Sequence, residues 1–278
     1  MKIHESIASL QRELKEKAGA KVGFVPTMGA LHSGHISLVS RAREECDIVV
    51  VSLFVNPTQF NDKSDLKHYP RTPAADAALL EAAGVDMLFL PSVEEIYPTT
   101  DERVFDFGEI DKVMEGATRA GHFNGVGQVV SRLFDIVRPT KAYFGEKDFQ
   151  QIAVIHAMCK VLEIDVEIVE CPIIRDQDGL ALSSRNALLT TEHRAAAPEI
   201  YAALKRGLSL VGTLSPKELC CEVISKVDSN PLLKVIYFQA VDARTLQQVN
   251  SWAESESIQG CIAVQAGNIR LIDNIKLK

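Results

Sequence analysis

The sequence predicts an α/β protein: a doubly wound parallel sheet followed by a smaller α+β domain. Three observations carry that prediction. Residues 47–55 (Asp-Ile-Val-Val-Val-Ser-Leu-Phe-Val) are almost continuously apolar, the pattern of a strand covered by helices on both faces. On either side of it, short apolar runs alternate with stretches of helical periodicity, the β-α-β-α-β order of a doubly wound sheet. Past residue 187 that alternation gives way to two helices and then strands, so a boundary falls near 175–187. Residues 1–175 are read as a Rossmann-like domain and 176–278 as a smaller C-terminal α+β domain. The length of 278 residues suits two domains or one large α/β unit.

Composition sets the class. With 46% hydrophobic and 24% charged residues the chain is an ordinary globular protein able to bury a large core. A formal net charge of −7 argues against a nucleic-acid backbone as its main partner, although local basic groups can still hold a small anion. No run reaches the ~18 apolar residues of a membrane span, and the amino terminus lacks the apolar core of a signal peptide. Six cysteines, at 46, 159, 171, 220, 221 and 261, form no C-x-x-C pair. They read as reduced core thiols of a cytoplasmic protein. No repeat, low-complexity segment or long linker occurs.

The elements follow in order. Ile3, Ile7, Leu10 and Leu14 have the spacing of an opening amphipathic helix. A β-branched run at 22–25 predicts the first strand, and Ile36, Leu38, Val39 and Ala42 predict the helix after it. The strand at 47–55 ends at Asn56-Pro57-Thr58-Gln59-Phe60, where Pro57 stops the ladder. A helix over about 73–83, stopped by Gly84, and a strand at 86–90 come next. Residues 91–125 are less regular. The Gly-rich stretch 115–125, with Arg119 and His122 interleaved, reads as a loop, either a surface connection or a flap over a site. A helix at 126–137, a strand at 141–144, a helix at 152–162 and a strand at 166–171 complete the first domain. The second is predicted as helices at 192–211 and 215–228, strands at 234–241 and 260–265, and a turn at Ala266-Gly267-Asn268 into 269–272. It has no comparable cluster of Gly, His and Lys, and reads as a lid or assembly domain.

The chemistry concentrates at strand ends, where open α/β sheets bind ligands. Pro26-Thr27-Met28-Gly29-Ala30-Leu31-His32-Ser33-Gly34-His35 joins the first strand to a helix start. Its glycines admit a ligand close to the backbone, and the helix N-terminus offers unpaired N–H groups to a phosphate. His32 and His35, three apart, project from one face. Taken alone this is either an ordinary βα loop or a nucleotide cradle. A metal pair is disfavoured because no carboxylate sits between the histidines. Gly145-Glu146-Lys147-Asp148-Phe149-Gln150-Gln151 repeats the strand–glycine–helix design with a lysine suited to a phosphate. Ser183, Ser184 and Arg185 add donors of the kind that stabilise charge on a leaving pyrophosphate. Gln59 and Gln151, uncharged and each following a core strand, can hold a carboxylate without neutralising it; the plain alternative is a pair of solvated loop glutamines. No G-x-x-x-x-G-K-[ST], G-x-G-x-x-G after a strand, or G-x-S-x-G is present, which disfavours P-loop kinases, dinucleotide dehydrogenases and serine hydrolases.

In its strand–turn–helix context, the H-x-G-H of residues 32–35 resembles the signature of the class I nucleotidyltransferase superfamily. PTMGALHSGH, FVNPTQF, EGATRAGHFNGV, FGEKDFQQ and DGLALSSRN, in this order over residues 26–186, together resemble the pantoate–β-alanine ligase (pantothenate synthetase) family. The resemblance implies ligation of (R)-pantoate and β-alanine to pantothenate. ATP is consumed, a pantoyl adenylate forms, and AMP and pyrophosphate are released. It implies that Met28, Gly29, Ala30, Leu31, His32, Ser33, Gly34 and His35 cradle ATP, with His35, His32 and Lys147 catalytic. Gly145, Glu146, Lys147 and Asp148 would hold ribose and phosphates, Ile174 would lie against adenine, and Leu182, Ser183, Ser184 and Arg185 would form a closing loop. Gln59 and Gln151 would bind pantoate, with Gln59 also near β-alanine. Mg²⁺ comes with the ATP chemistry, with protein ligands unassigned and Asp76 weighed only as an outer contributor. A homodimer with small-molecule partners alone is expected, with no nucleic acid and no membrane. Two rivals remain at this point: an adenylyltransferase of the same superfamily acting on a phosphate, and a non-catalytic nucleotide sensor.

Overall fold

The computed structural model describes residues 1–278. In chain order its strands are β1 (Lys2–His4), β2 (Val22–Thr27), β3 (Ile48–Leu53), β4 (Met87–Phe89), β5 (Lys141–Gly145), β6 (Glu167–Cys171), β7 (Leu233–Asp242), β8 (Ile258–Ala266) and β9 (Ile269–Lys276). The helices are α1 (Ile7–Glu16), α2 (Ser33–Glu45), α3 (Lys63–His68), α4 (Pro73–Ala82), α5 (Val93–Ile96), α6 (Met114–Thr118), α7 (His122–Val137), α8 (Phe149–Val161), α9 (Thr191–Ala196), α10 (Glu199–Ser209) and α11 (Pro216–Asp228).

The chain forms two compact units. The first comprises residues 1–107, 119–146 and 154–172. Its six strands pair all in parallel in the order β1-β4-β3-β2-β5-β6, as the doubly wound prediction requires. The central strand β3 is buried at every position, which is why it reads as an unbroken apolar run. Val25, Val39, Val49, Val51, Leu80, Leu88 and Tyr143 fill one side of this sheet. Because β3, β2 and β5 are neighbours, their carboxyl ends open at one edge. That edge carries residues 28–35, 54–59 and 145–146.

The second unit comprises residues 108–118, 147–153 and 173–278. Its sheet is antiparallel, β7-β8-β9, and α10 and α11 bury Ile200, Leu204, Leu219, Val223 and Val227 with Phe238, Ile262 and Val264. A separate cluster of Met114, Val241, Leu246 and Cys261, with Val113, Phe149 and Ala153 against it, ties segments 108–118 and 147–153 into this unit.

Several elements depart from the sequence reading. Residues 2–4 are an edge strand rather than the start of a helix: Lys2 N–H bonds to Asp86 O at 2.9 Å, and Leu90 N–H to His4 O at 2.9 Å. Ser6 then caps α1. The glycine-rich 115–125 stretch is not a loop, since it holds most of α6 and the first turn of α7. Glycine is used there for contact rather than flexibility: a Cβ on Gly125 would lie 2.3 Å from the carbonyl oxygen of Thr58. The helix expected at 192–211 is two helices, α9 and α10, broken at Ala197-Pro198.

Candidate active site

In the first unit the site grows out of the end of β2. Thr27 donates to Ser52 O at 2.8 Å and accepts Gly29 N–H at 3.2 Å, which turns the chain off the sheet. Gly29 and Ala30 then both take left-handed backbone, φ +84° and +51°. This costs glycine nothing and alanine of order 1 kcal/mol. Asp76 on α4 meets that cost. Its Oδ2 accepts Ala30 N–H at 2.9 Å, its Oδ1 accepts Leu31 N–H at 2.8 Å, and Thr72 Oγ1 adds a third bond at 3.1 Å. The carboxylate is 2% exposed.

His32 is the N-cap of α2. Its Nδ1 accepts Gly34 N–H at 3.2 Å, while His35 Nδ1 accepts His32 N–H at 3.3 Å. Two imidazoles thus form the reciprocal cap that Ser and Glu usually make. A nitrogen that accepts an N–H carries no proton, so in neutral rings both protons sit on Nε2. The ring centroids are 4.0 Å apart. The motif presents two adjacent N–H donors beside a helix N-terminus, an arrangement suited to phosphate oxygens.

At the end of β3, Asn56 is 1% exposed and caps the short turn Pro57–Gln59. Its Nδ2 donates to Gly125 O at 3.1 Å, and Tyr97 Oη donates to its Oδ1 at 3.0 Å. Gln59 is buried, with its amide nitrogen against Met28 Sδ, so it is not a solvated loop glutamine. His122 holds it by the backbone: Nδ1 lies 2.8 Å from Gln59 O, and Arg119 reaches Nε2 at 3.1 Å. The carbonyl can only accept and the guanidinium can only donate, which fixes the Nδ1–H tautomer. At the end of β5, burial and then the charge of Glu170 raise the Glu146 carboxyl above its ordinary range.

The other expected residues lie in the second unit. Lys147 pairs with Asp148 at 3.3 Å just ahead of α8, and Gln151 stands in the first turn of that helix. Ile174 accepts Leu182 N–H at 3.0 Å across a tight hairpin. Ser183 then caps a short turn over Ser184–Leu188 by accepting Arg185 N–H at 3.3 Å. Thus Met28 to His35, Gln59, Gly145 and Glu146 share the sheet edge of the first unit. Lys147, Asp148, Gln151, Ile174 and Leu182 to Arg185 are gathered in the second.

No group of three or more His, Cys, Asp or Glu side chains is arranged to hold a metal. Both Asp76 oxygens are taken by backbone amides and Thr72, so that residue is a loop brace. The sequence offers little signal for it: an acid in the first turn of a helix reads as an ordinary N-terminal charge. The roles of Asn56, Arg119 and His122 emerge only from their hydrogen bonds.

A model of the pantoate-beta-alanine ligase family matches residues 2–276. The chain is 55% identical to a pantothenate synthetase of Porphyromonas gingivalis over 278 residues, covering 99% of each. It is 52% identical to one of Bacteroides fragilis over 280 residues, covering 100% of this chain and 99% of that one. Among solved structures, the pantothenate synthetase of Thermus thermophilus superposes with a TM-score of 0.94 at 43% identity, over 100% of this chain and 99% of that one. The pantoate-beta-alanine ligase of Francisella tularensis, complexed with β-γ ATP and β-alanine, superposes at 0.85 with 37% identity, over 100% and 98%.

Proposed function

This chain belongs to the pantoate-beta-alanine ligase family and is an ATP-dependent ligase of pantoate and β-alanine; from that premise we propose how its residues divide the reaction. In the first step a pantoate carboxylate oxygen attacks the α-phosphorus of ATP. The bond to the bridging oxygen breaks and pyrophosphate leaves with the charge. In the second, the β-alanine amine attacks the acyl carbon of the pantoyl adenylate, AMP departs and the nitrogen loses a proton.

The reading rests on the paired Nε2–H donors of His32 and His35 at the α2 N-terminus, on the same sheet edge as the buried Gln59. Those donors, with Met28 to Gly34 around them, take the phosphates as charge builds in the first step. Lys147 and Arg185 neutralise the departing pyrophosphate, with Ser183 and Ser184 as further donors. Gly145, Glu146 and Asp148 take the ribose, Ile174 lies against the base, and Leu182 belongs to the closing loop with Ser183, Ser184 and Arg185. Gln59 and Gln151 hold pantoate by amide hydrogen bonds that leave its carboxylate nucleophilic, and Gln59 also lies toward β-alanine. Arg119 and His122 act behind Gln59 by fixing its carbonyl.

Magnesium is proposed to travel on the ATP phosphates, with phosphate oxygens and water as its ligands. Such an ion screens phosphate charge. Six unbridged cysteines suit a reducing cytoplasm, and no helix is long and apolar enough to cross a membrane. A homodimer is proposed on family resemblance, with sedimentation equilibrium as its check.

Pyrophosphate–ATP exchange with pantoate present and β-alanine omitted tests the pathway. Pantoate-dependent exchange is the expected result. No AMP release, with or without β-alanine, overturns the reading.

A further inference from the structure

Two adjacent residues of β9, a strand outside the Gly, His and Lys clusters, reach both segments of the second unit that are assigned above to the nucleotide. Asp273 and Asn274 are 6% and 4% exposed. The Asp273 carboxylate takes the Arg175 guanidinium fork on fork, at 2.6 and 2.8 Å. That guanidinium stacks 3.6 Å from the Tyr201 ring centroid and donates to Gly179 O at 3.2 Å. Arg175 and Gly179 belong to the hairpin that delivers Leu182 to Arg185. It is closed by a bridge between Arg175 and Ala181 and turned at Gly179, φ +96°, where a Cβ would stand 2.8 Å from Tyr201. One guanidinium therefore ties the base of the hairpin, its turn and β9 together.

Asn274 serves the other segment. Its Nδ2 donates to the carbonyl oxygen of Lys147 at 3.1 Å. Its Oδ1 accepts Gln259 Nε2 at 2.7 Å, which sets the orientation of the amide. The Asn274 backbone N–H donates to Asp273 Oδ1 at 2.8 Å, so the carboxylate also holds the peptide that carries the Asn274 side chain. A buried ion pair is seldom worth more to stability than apolar residues of the same volume. Holding two loops in one fixed relation is a better reason for this one.

We propose that Asp273 and Asn274 are positioning residues for the adenylation step. They preset the Lys147 peptide and the 174–185 hairpin for ATP. The proposal rests on the roles given above to Lys147 and to Leu182–Arg185.

Asn274→Ala and Asp273→Asn test it by three measurements: ATP affinity by calorimetric titration, pantoate-dependent pyrophosphate–ATP exchange, and AMP release from supplied pantoyl adenylate plus β-alanine. Asn274→Ala is expected to weaken ATP binding and slow exchange on the order of tenfold, as small misplacements of charge-stabilising groups do. AMP release from supplied adenylate, in which no pyrophosphate leaves, should stay near wild type. Asp273→Asn should weaken ATP binding at least as much, and if it fails to fold Asn274→Ala carries the test. Equal slowing of both half-reactions at unchanged ATP affinity, or no slowing at all, overturns the proposal. If the wild-type chain shows no exchange yet both variants bind ATP more weakly, the adenylate pathway falls and the positioning role stands.

Discussion

At the scale of single residues, the side chains given chemical roles under the proposal also hold the local backbone in place, as the His32 and His35 cap does. His35→Ala removes the donor proposed to act in the transition state, and kcat is expected to fall by on the order of 10²–10³. An unchanged kcat in steady-state assays would dismiss its role. Gln59 and Gln151 differ in setting, one buried and one half-buried, but both replacements by Ala should raise KM for pantoate far more than KM for ATP. Equal changes would move pantoate elsewhere. Asp76→Ala leaves the Ala30 and Leu31 amides without their acceptor inside a left-handed turn, a loss of about 1–3 kcal/mol in denaturant unfolding. A midpoint within error of wild type would show that water replaces the carboxylate. The motif residues themselves were legible because Gly, His and Lys stand out at predicted strand ends. Asp76 was not, because its partners lie 46 and 45 positions away and nothing in its local sequence points to them.

At the scale of elements, the parallel sheet was readable from β3, whose burial on both faces leaves an unmistakable apolar signature. The departures differ in cause: too short a strand, a proline inside a helical stretch, and tertiary contact overriding local propensity at the glycines. A three-residue edge strand is too short to show a period, so Ile3 was absorbed into the α1 pattern. Glycines at 116, 121 and 125 argue for a loop, yet α7 needs Gly125 to lay its backbone on the Thr58–Gln59 peptide. Gly125→Ala, harmless in an isolated helix, should therefore destabilise by about 1–3 kcal/mol through overpacking. It should also raise KM for pantoate, because the helix supports the Gln59 turn. A variant as stable as wild type would mean that the turn, and not the helix, gives way.

At the scale of the whole molecule, stability toward acid and thiol reactivity can be forecast. Glu45, at the C-terminal end of α2, accepts from Lys141 at 2.9 Å, from Arg41, and from Tyr143 at 3.1 Å. Lys141 first, then Arg41 and Tyr143, hold its carboxyl down from 4.5 to about 2. A depressed carboxyl stabilises the fold above its unfolded value and loses that contribution as pH falls from 4.5 through about 2. The contribution is about 1–2 kcal/mol once solvent screening is discounted. Glu45→Gln should be less stable than wild type at neutral pH and converge with it near pH 2; parallel stability curves would refute the assignment. Burial pushes the thiols of Cys159 and Cys171 up to about 11 and that of Cys261 to about 12, while Cys221 is exposed. Native titration with a thiol reagent at neutral pH should find Cys221 reacting first, with Cys46, Cys159, Cys171 and Cys261 following only on unfolding.

The histidine cap at the start of α2 makes protonation visible in the peptide backbone. Each Nδ1 is both the acceptor for an amide and the place where the ring would take a second proton. Charging either ring therefore releases an amide hydrogen to solvent. The Gly34 amide gauges the charge of the His32 ring and the His32 amide that of the His35 ring, each exchanging slowly while its ring is neutral and fast once it is cationic. An NMR exchange series across pH would read the ionisation of each donor separately, without any turnover.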